Sequence, residues 1–236
     1  MLHQLQIKKY KTLSGISQDI QLSYQVFGKK LHTAPIILVN HALTGNSNVT
    51  GDDGWWSALI GDGKCIDTEK YTILAFNIPG NGHDKFVIEN YKDFVAGDVA
   101  RMFLLGLQQL KVECLFAIIG GSLGGGIAWE MAALRPDLSE HLIPVASDWK
   151  STDWLIANCQ IQEQFLVNSK QPVHDARMHA MLCYRTPASF KERFKRSTNE
   201  ELKVFNVESW LMHHGDKLQE RFQLSAYKLM NQLLKT

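Results

Sequence analysis

One pentapeptide constrains the fold of this 236-residue chain more than any other feature. Gly120-Gly121-Ser122-Leu123-Gly124 matches the pattern G-x-S-x-G, directly after the β-prone segment Cys114–Ile119 and directly before the helical segment Ile127–Leu134. A strand, a sharp turn and a helix in this order present the serine at the carboxyl end of a parallel strand, where helix N–H groups favour negative charge. The pattern therefore predicts a nucleophile elbow with Ser122 as the nucleophile. The alternative is a purely structural turn, in which the glycines pack a strand against a helix and the serine caps the helix.

The segments around this motif predict an α/β fold. Strands and a helix alternate along the chain, which indicates parallel strands joined by crossover helices. Short, continuously apolar runs indicate strands that are buried on both faces, and an alternating run near the start indicates a strand that pairs with the first residues. The predicted strands are Ile20–Phe27, Ile36–Val39, Thr72–Asn77, Leu115–Ile119 and Leu142–Ala146, and the predicted helix is Tyr91–Leu110.

The composition changes after Ser147. Residues 148–236 have helical periodicity and long side chains, with two prolines and one glycine. We therefore predict an α/β core over residues 1–147 and a helical lid over residues 148–236. Helices are expected at Leu155–Phe165, around His179–Tyr184, and from Pro187 and Val207 onward.

A second loop is expected to complete the site around Ser122. Asn40–Gly45 follows the strand Ile36–Val39, where this architecture supplies one oxyanion N–H; the residue after the nucleophile supplies the other. We assign these donors to Leu43 and Leu123. His41 stands before the oxyanion turn, where this fold does not keep its base, so it is interpreted as a loop-shaping residue. Trp55 and Trp56 are expected to form the wall of the cleft.

Charge and cysteine content exclude several classes of function. The chain has 25 Lys+Arg and 24 Asp+Glu, so no strong field favours nucleic acid or an anionic membrane as a partner. There is no apolar segment of signal or membrane-spanning length, which predicts a cytoplasmic protein. The four cysteines are scattered and the histidines lack ligand spacing, so neither disulfides nor a metal are expected.

Several longer stretches resemble the homoserine O-acetyltransferase family of the α/β-hydrolase superfamily. The matching stretches are NHALTGNSNVTG at 40–51, GWWSALIGDGKCIDTEKYTIL at 54–74, IGGSLGGGIAWEMA at 119–132, ARMHAMLCYRT at 176–186 and VESWLMHHGDKLQERF at 207–222. Their order and spacing extend through nearly the whole chain. The resemblance implies the α/β-hydrolase fold.

The resemblance also implies a reaction. Ser122 would take an acetyl group from acetyl-CoA and pass it to the side-chain hydroxyl of homoserine, a step of methionine biosynthesis, with no permanently bound cofactor. Arg177 and Tyr184 match the lid residues that handle the amino-acid substrate in this family. Differences at Asn77–His83, Gly126 and Gln223–Ser225 leave a succinyl donor or a serine acceptor open. An ester or thioester hydrolase on the same fold is the alternative.

The family also has an aspartate and a histidine after the lid, for which this chain has no counterpart. We therefore expect the last strands of the fold to be missing and the chain alone to be nearly inactive. It would be a fragment of an active enzyme or a shortened, non-catalytic relative; Asp148 as the acid is a third alternative. We also expect an uncovered sheet edge and self-association, including a homodimer through the lid helices with their apolar residues Tyr227, Leu229, Met230, Leu233 and Leu234.

Overall fold

A six-stranded sheet lies at the centre of the molecule. The computed structural model describes residues 1–236. The strands are β1 (His3–Lys11), β2 (Ser17–Gly28), β3 (Ile36–Asn40), β6 (Thr72–Phe76), β7 (Leu115–Gly121) and β8 (Ser139–Val145), in the spatial order β1-β2-β6-β3-β7-β8. β1, β2 and β6 pair antiparallel, whereas β6, β3, β7 and β8 run parallel. The predicted α/β class, mainly parallel sheet and N-terminal hairpin are confirmed.

The central strands are buried on both faces, as their uninterrupted apolar sequence predicted. Alternate residues of a strand point to opposite sides of the sheet. Leu38 of β3 therefore belongs to the large cluster with helices α1 (Ala96–Gln109) and α2 (Leu123–Leu134). Its neighbour Val39 belongs to a second cluster with Val49 and Ile60. Two short strands, β4 (Ile60–Gly61) and β5 (Ile66–Asp67), lie in the segment that covers this second face.

The helix predicted over Tyr91–Leu110 is shorter than expected. A 3₁₀ turn at Tyr91–Asp93 comes first, Val95 is extended with φ −129° and ψ 166°, and α1 begins only at Ala96. The buried Asp98 carboxylate accepts the Val95 N–H at 3.1 Å and so caps the helix at this point. The prediction was wrong for Tyr91–Val95, because apolar periodicity does not reveal the cap that fixes a helix start.

Helices make up nearly all of the chain after β8. They are α3 (Asp153–Asn168), α4 (Pro172–Cys183), α5 (Pro187–Phe194), α6 (Asn206–Gln219) and α7 (Leu224–Lys235), with the short strands β9 (Thr198–Asn199) and β10 (Val204–Phe205) between α5 and α6. The predicted helices are thus present. The large apolar cluster contains residues from both sides of the predicted boundary at residue 147, among them Leu74 and Leu229. The division into core and lid stays a prediction.

The apolar residues of α7 do not form an exposed face. Tyr227, Leu229, Met230 and Leu233 are buried within the chain itself, and Leu229 packs against Gly80 and Ile88. The expectation that they form a dimer surface was wrong, because an apolar stripe shows that a helix face is covered but not by what. A homodimer through other lid residues stays a prediction.

The last strand of the sheet, β8, pairs only with β7. Its apolar side chains Ile143 and Val145 are 43% and 42% exposed. An unpaired edge with apolar side chains is a site at which strands of other molecules add.

Candidate functional site

Ser122 stands in a strained turn between β7 and α2. Its φ of 52° and ψ of −120° lie in a region that non-glycine residues seldom occupy. The Ser122 N–H donates to the Val145 carbonyl at 2.9 Å, and the Gly125 and Gly126 N–H groups donate to the Ser122 carbonyl at 2.8 and 3.1 Å. These bonds hold the turn in place. The Oγ atom makes no hydrogen bond to another protein group.

The two outer glycines of the motif are needed because the backbone approaches itself closely there. A Cβ at Gly120 would lie 2.1 Å from the Gly124 carbonyl oxygen. A Cβ at Gly124 would lie 2.3 Å from the Asn40 oxygen and 2.6 Å from the His41 oxygen. No side chain fits at these distances, so the motif brings the elbow against the start of the 40–45 loop.

The two predicted oxyanion donors, Leu43 and Leu123, lie on segments that follow neighbouring parallel strands. β3 and β7 are parallel neighbours with Asn40 opposite Gly120, so the loop after β3 and the turn after β7 leave the same edge of the sheet. The Leu43 N–H donates to no protein acceptor. Leu123 is the first residue of α2, where an N–H has no acceptor within the helix. Their role as oxyanion donors to Ser122 stays a prediction.

His41 is built into the loop rather than into the reaction centre. It is fully buried; Nδ1 lies 2.8 Å from the Ala42 oxygen, and Nε2 accepts the Ile78 N–H at 2.9 Å. Burial lowers its pKa to about 4. Both ring nitrogens are occupied by the backbone, which agrees with the interpretation of His41 as a loop-shaping residue.

Ser122 opens into a cavity of about 180 Å³. Leu123, Ser147, Asp148 and Trp149 line it beside Ser122, and Leu233 and Leu234 of α7 close another side. Asp148 is exposed, and its Oδ1 accepts the Trp149 N–H at 2.8 Å. None of the nine histidines lines this cavity. Nothing therefore connects Asp148 to an imidazole, as the third alternative would require.

Arg177 and Tyr184 meet each other but do not line the Ser122 cavity. The guanidinium carbon lies 5.7 Å from the centre of the Tyr184 ring, and Tyr184 is 61% exposed. Arg177 is half-buried and has no carboxylate within ion-pair distance, so its charge is not part of a surface ion pair. Both residues remain predicted ligands of the amino-acid substrate.

The structure adds Arg221, which sequence reasoning missed. Its Nη1 donates to the Thr44 carbonyl at 3.2 Å, so it connects the segment after α6 to the residue next to Leu43. Burial, with a smaller effect of Arg177, lowers the Arg221 pKa. The stretch at 207–222 contains this arginine, but its contact lies 177 residues away in the chain, and no local pattern encodes it.

The tryptophan pair packs beside the motifs instead of forming the cavity wall. The Trp55 and Trp56 rings lie 4.6 Å apart; Trp55 Nε1 donates to the Asn46 oxygen at 2.8 Å. A Cβ at Gly121 would lie 3.5 Å from the Trp56 ring. Neither tryptophan lines the Ser122 cavity, so the cleft-wall interpretation was wrong; the pair supports the elbow and the oxyanion loop from outside.

The chain contains no group of three His, Cys, Asp or Glu side chains arranged to hold a metal ion. None of its helices combines the length and the hydropathy that crossing a bilayer requires.

Comparison with known proteins identifies the family. The profile of the alpha/beta hydrolase fold matches residues 35–161. A homoserine O-acetyltransferase of Chloroherpeton thalassium is 33% identical over 93% of this chain and 64% of its own length. A homoserine O-succinyltransferase of Nitrosomonas europaea is 29% identical over 93% of the chain and 69% of its own length. The chain thus spans about two thirds of the length of these curated relatives.

A solved structure agrees with this result. The homoserine O-acetyltransferase of Staphylococcus aureus superposes with a TM-score of 0.84 at 27% identity, covering 100% of this chain and 71% of that one. The superposition extends the likeness from the matched core to the helices of residues 148–236. The chain therefore belongs to the alpha/beta hydrolase fold family, and its relatives there include homoserine O-acetyltransferases.

Proposed function

We propose that the protein is an acyltransferase that moves an acetyl group from acetyl-CoA to the hydroxyl of homoserine through an acyl-Ser122 intermediate, as a cytoplasmic step of methionine biosynthesis. The observation that carries the proposal is the strained Ser122 turn packed against a loop whose Leu43 N–H has no protein acceptor. The names of the relatives supply the substrate class, and they include both acetyl- and succinyltransferases.

The proposed reaction has two halves. Ser122 Oγ attacks the thioester carbonyl carbon, the carbonyl electron pair moves to oxygen, and the Leu43 and Leu123 N–H groups bind that oxyanion. Collapse of the intermediate breaks the C–S bond and releases CoA as its thiolate. The homoserine hydroxyl then attacks the carbonyl carbon of acetyl-Ser122 and loses its proton to water. The second intermediate collapses with cleavage of the C–Oγ bond, Oγ takes a proton back from water, and O-acetylhomoserine leaves.

Arg177 and Tyr184 are assigned to the amino-acid substrate. A guanidinium offers parallel N–H donors that match the α-carboxylate of homoserine, and it keeps its charge at every physiological pH. The pairing of Arg177 with the Tyr184 ring, without a carboxylate neighbour, supports this role because the cation is left for a ligand.

The proton of Ser122 Oγ needs an acceptor. No imidazole lines the cavity, so we expect Ser122 of this chain to react slowly, several orders of magnitude below a triad enzyme. Water would then take the proton from Oγ in place of a histidine.

The proposal is tested by measuring acylation of Ser122 directly. The protein is incubated for hours with acetyl-CoA or succinyl-CoA, and mass spectrometry locates the added acyl group. We expect it on Ser122 from acetyl-CoA, and we expect homoserine to remove it as O-acetylhomoserine faster than water or serine does. S122A should abolish the modification, while S147A, which changes another serine of the same cavity, should not.

The outcome also decides between the alternatives. Release of free acetate at the same rate with and without homoserine would make the protein a hydrolase. R177A should slow transfer to homoserine and leave acylation unchanged; equal loss of both would contradict the assignment of Arg177. Absence of any acyl-Ser122, even after prolonged incubation, would leave a non-catalytic protein.

A further inference from the structure

A groove at the junction of α5, β10 and α6 is lined by aromatic and cationic side chains. It has a volume of about 340 Å³, within the range of small-ligand sites. Phe190, Phe194 and Phe205 supply aromatic walls, and Lys191 and Arg196 supply positive charge. No acidic residue lines it.

The two cations of this groove are not neutralised within the protein. Neither Lys191 nor Arg196 has a carboxylate within ion-pair distance. The Glu208 carboxylate accepts the Phe205 N–H at 2.7 Å and the Glu200 carboxylate accepts the Thr198 hydroxyl at 2.9 Å, and neither pairs with Lys191 or Arg196. The groove therefore favours an anionic ligand.

The aromatic residues narrow the class of anion. The Arg196 guanidinium carbon lies 5.8 Å from the centre of the Phe205 ring, which is 39% exposed and open to stacking. Behind the groove, Phe190 and Phe194 pack on Trp210, and Arg185 and Arg193 lie 5.6 and 5.2 Å from the Trp210 ring. Exposed rings beside free cations suit a purine base that carries phosphates.

The distance between the groove and the 40–45 loop suits the nucleotide end of the proposed acyl donor. Phe205 and Val207 lie at the start of α6, and Arg221, just beyond its end, contacts Thr44 of the oxyanion loop. The 14 residues of α6 separate the two points by about 21 Å. In an acyl-CoA the thioester and the nucleotide are at opposite ends of a long pantetheine arm.

We propose that this groove binds the adenosine 3′,5′-bisphosphate end of the acyl-CoA donor, an inference that rests on the proposed function. The adenine stacks on the exposed Phe205 ring, and Lys191 and Arg196 bind the phosphates as charge-assisted hydrogen-bond donors.

Isothermal titration calorimetry of the whole chain with free adenosine 3′,5′-bisphosphate tests the inference without any reaction. We expect the K191Q/R196Q variant to bind at least about tenfold more weakly than the wild type, because two phosphate contacts are lost. The K11Q/K170Q control removes two charges from exposed lysines elsewhere and should bind like the wild type. F205L should weaken binding severalfold, since an aromatic stacking partner is lost from a partly exposed position where folding is little affected.

The outcomes separate this inference from the proposed function. If K191Q/R196Q and F205L bind the bisphosphate like the wild type, the groove is not the binding site. If these variants also bind acetyl-CoA like the wild type, the acyltransferase proposal still stands. Equal affinity for AMP and for the bisphosphate would overturn the assignment to CoA. If the wild type binds neither acetyl-CoA nor the bisphosphate, both proposals fail. A melting curve shows whether each variant is folded. If K191Q/R196Q is unfolded, the binding result for F205L decides whether the groove is the site.

Discussion

The buried His41 under the oxyanion loop should make the stability of this protein fall between neutral and mildly acidic pH. The ring is neutral in the folded state, because Nε2 must accept the Ile78 N–H and Nδ1–H then donates to the Ala42 oxygen. A second proton on the ring would convert Nε2 from an acceptor into a donor that faces the Ile78 N–H. The ring is fully buried, so water does not compensate for this clash. Burial, which disfavours the charged ring, lowers the histidine pKa from 6.5 to about 4.

The size of the effect follows from this pKa. The difference between a pKa of 6.5 in the unfolded chain and about 4 in the folded protein corresponds to roughly 3 kcal/mol. The folded pKa is the lower one, so the unfolded chain binds the proton first as the pH falls. The contribution is therefore complete above about pH 6.5 and is lost progressively toward about pH 4.

Urea unfolding followed by circular dichroism measures the free energy of unfolding at several pH values between about 7 and 4.5. H41Q keeps an acceptor for the Ile78 N–H but cannot titrate, so its curve should be flatter than that of the wild type by about 2 to 3 kcal/mol over this range. H213Q removes an exposed histidine and serves as the control. If wild type and H41Q lose the same free energy, His41 is not the titrating group and the neutral, backbone-bound ring is the wrong description.

Two substitutions test the packing that supports the site. G124A places a Cβ 2.3 Å from the Asn40 oxygen, so it should destabilise the fold by about 2 kcal/mol or more and reduce the slow acetylation of Ser122 by acetyl-CoA. The matched G126A variant, whose Cβ has no neighbour nearer than the Ser147 Oγ at 4.0 Å, should change neither quantity, and equal losses in both would contradict the close-approach argument. D98A leaves the Leu13 and Val95 N–H groups without their acceptor, and the Tyr10 hydroxyl keeps only its longer bond to the carbonyl of residue 98, at 3.2 Å. The substitution should cost about 3 kcal/mol in urea unfolding, whereas a cost below about 1 kcal/mol would show that water replaces the carboxylate.

The parts of the fold that sequence predicted correctly are those with local signals. The strands β3 and β6 follow from short runs of apolar residues, because a strand buried on both faces has no polar side. The elbow follows from its glycines, which only a close approach of backbones requires. The α1 start at Ala96 did not follow, because it depends on Asp98, whose carboxylate also binds Tyr10 from 88 residues away.

The same distinction between local signals and long-range packing applies to the candidate site. Ser122 and the loop after β3 were found because each is a short motif next to a recognisable strand. The burial of α7 and the Arg221 contact were missed, because both depend on which surfaces meet after folding. Periodicity identifies an apolar face, but its partner is decided by long-range packing.

The loop that carries Leu43 is fixed from several directions. The Asn77 side chain accepts the Ser47 N–H at 2.8 Å, His41 binds the backbone beneath the loop, Trp55 donates to the Asn46 oxygen, and Arg221 donates to the Thr44 oxygen. These contacts join the loop to three other segments of the chain, at residues 77–78, 55 and 221, so the loop cannot shift without breaking several of them at once. Electrostatic stabilisation of a developing oxyanion is effective when its donors are already oriented before the reaction. The 40–45 loop is therefore held in one arrangement before any ligand binds, which is what the proposed role of the Leu43 N–H requires.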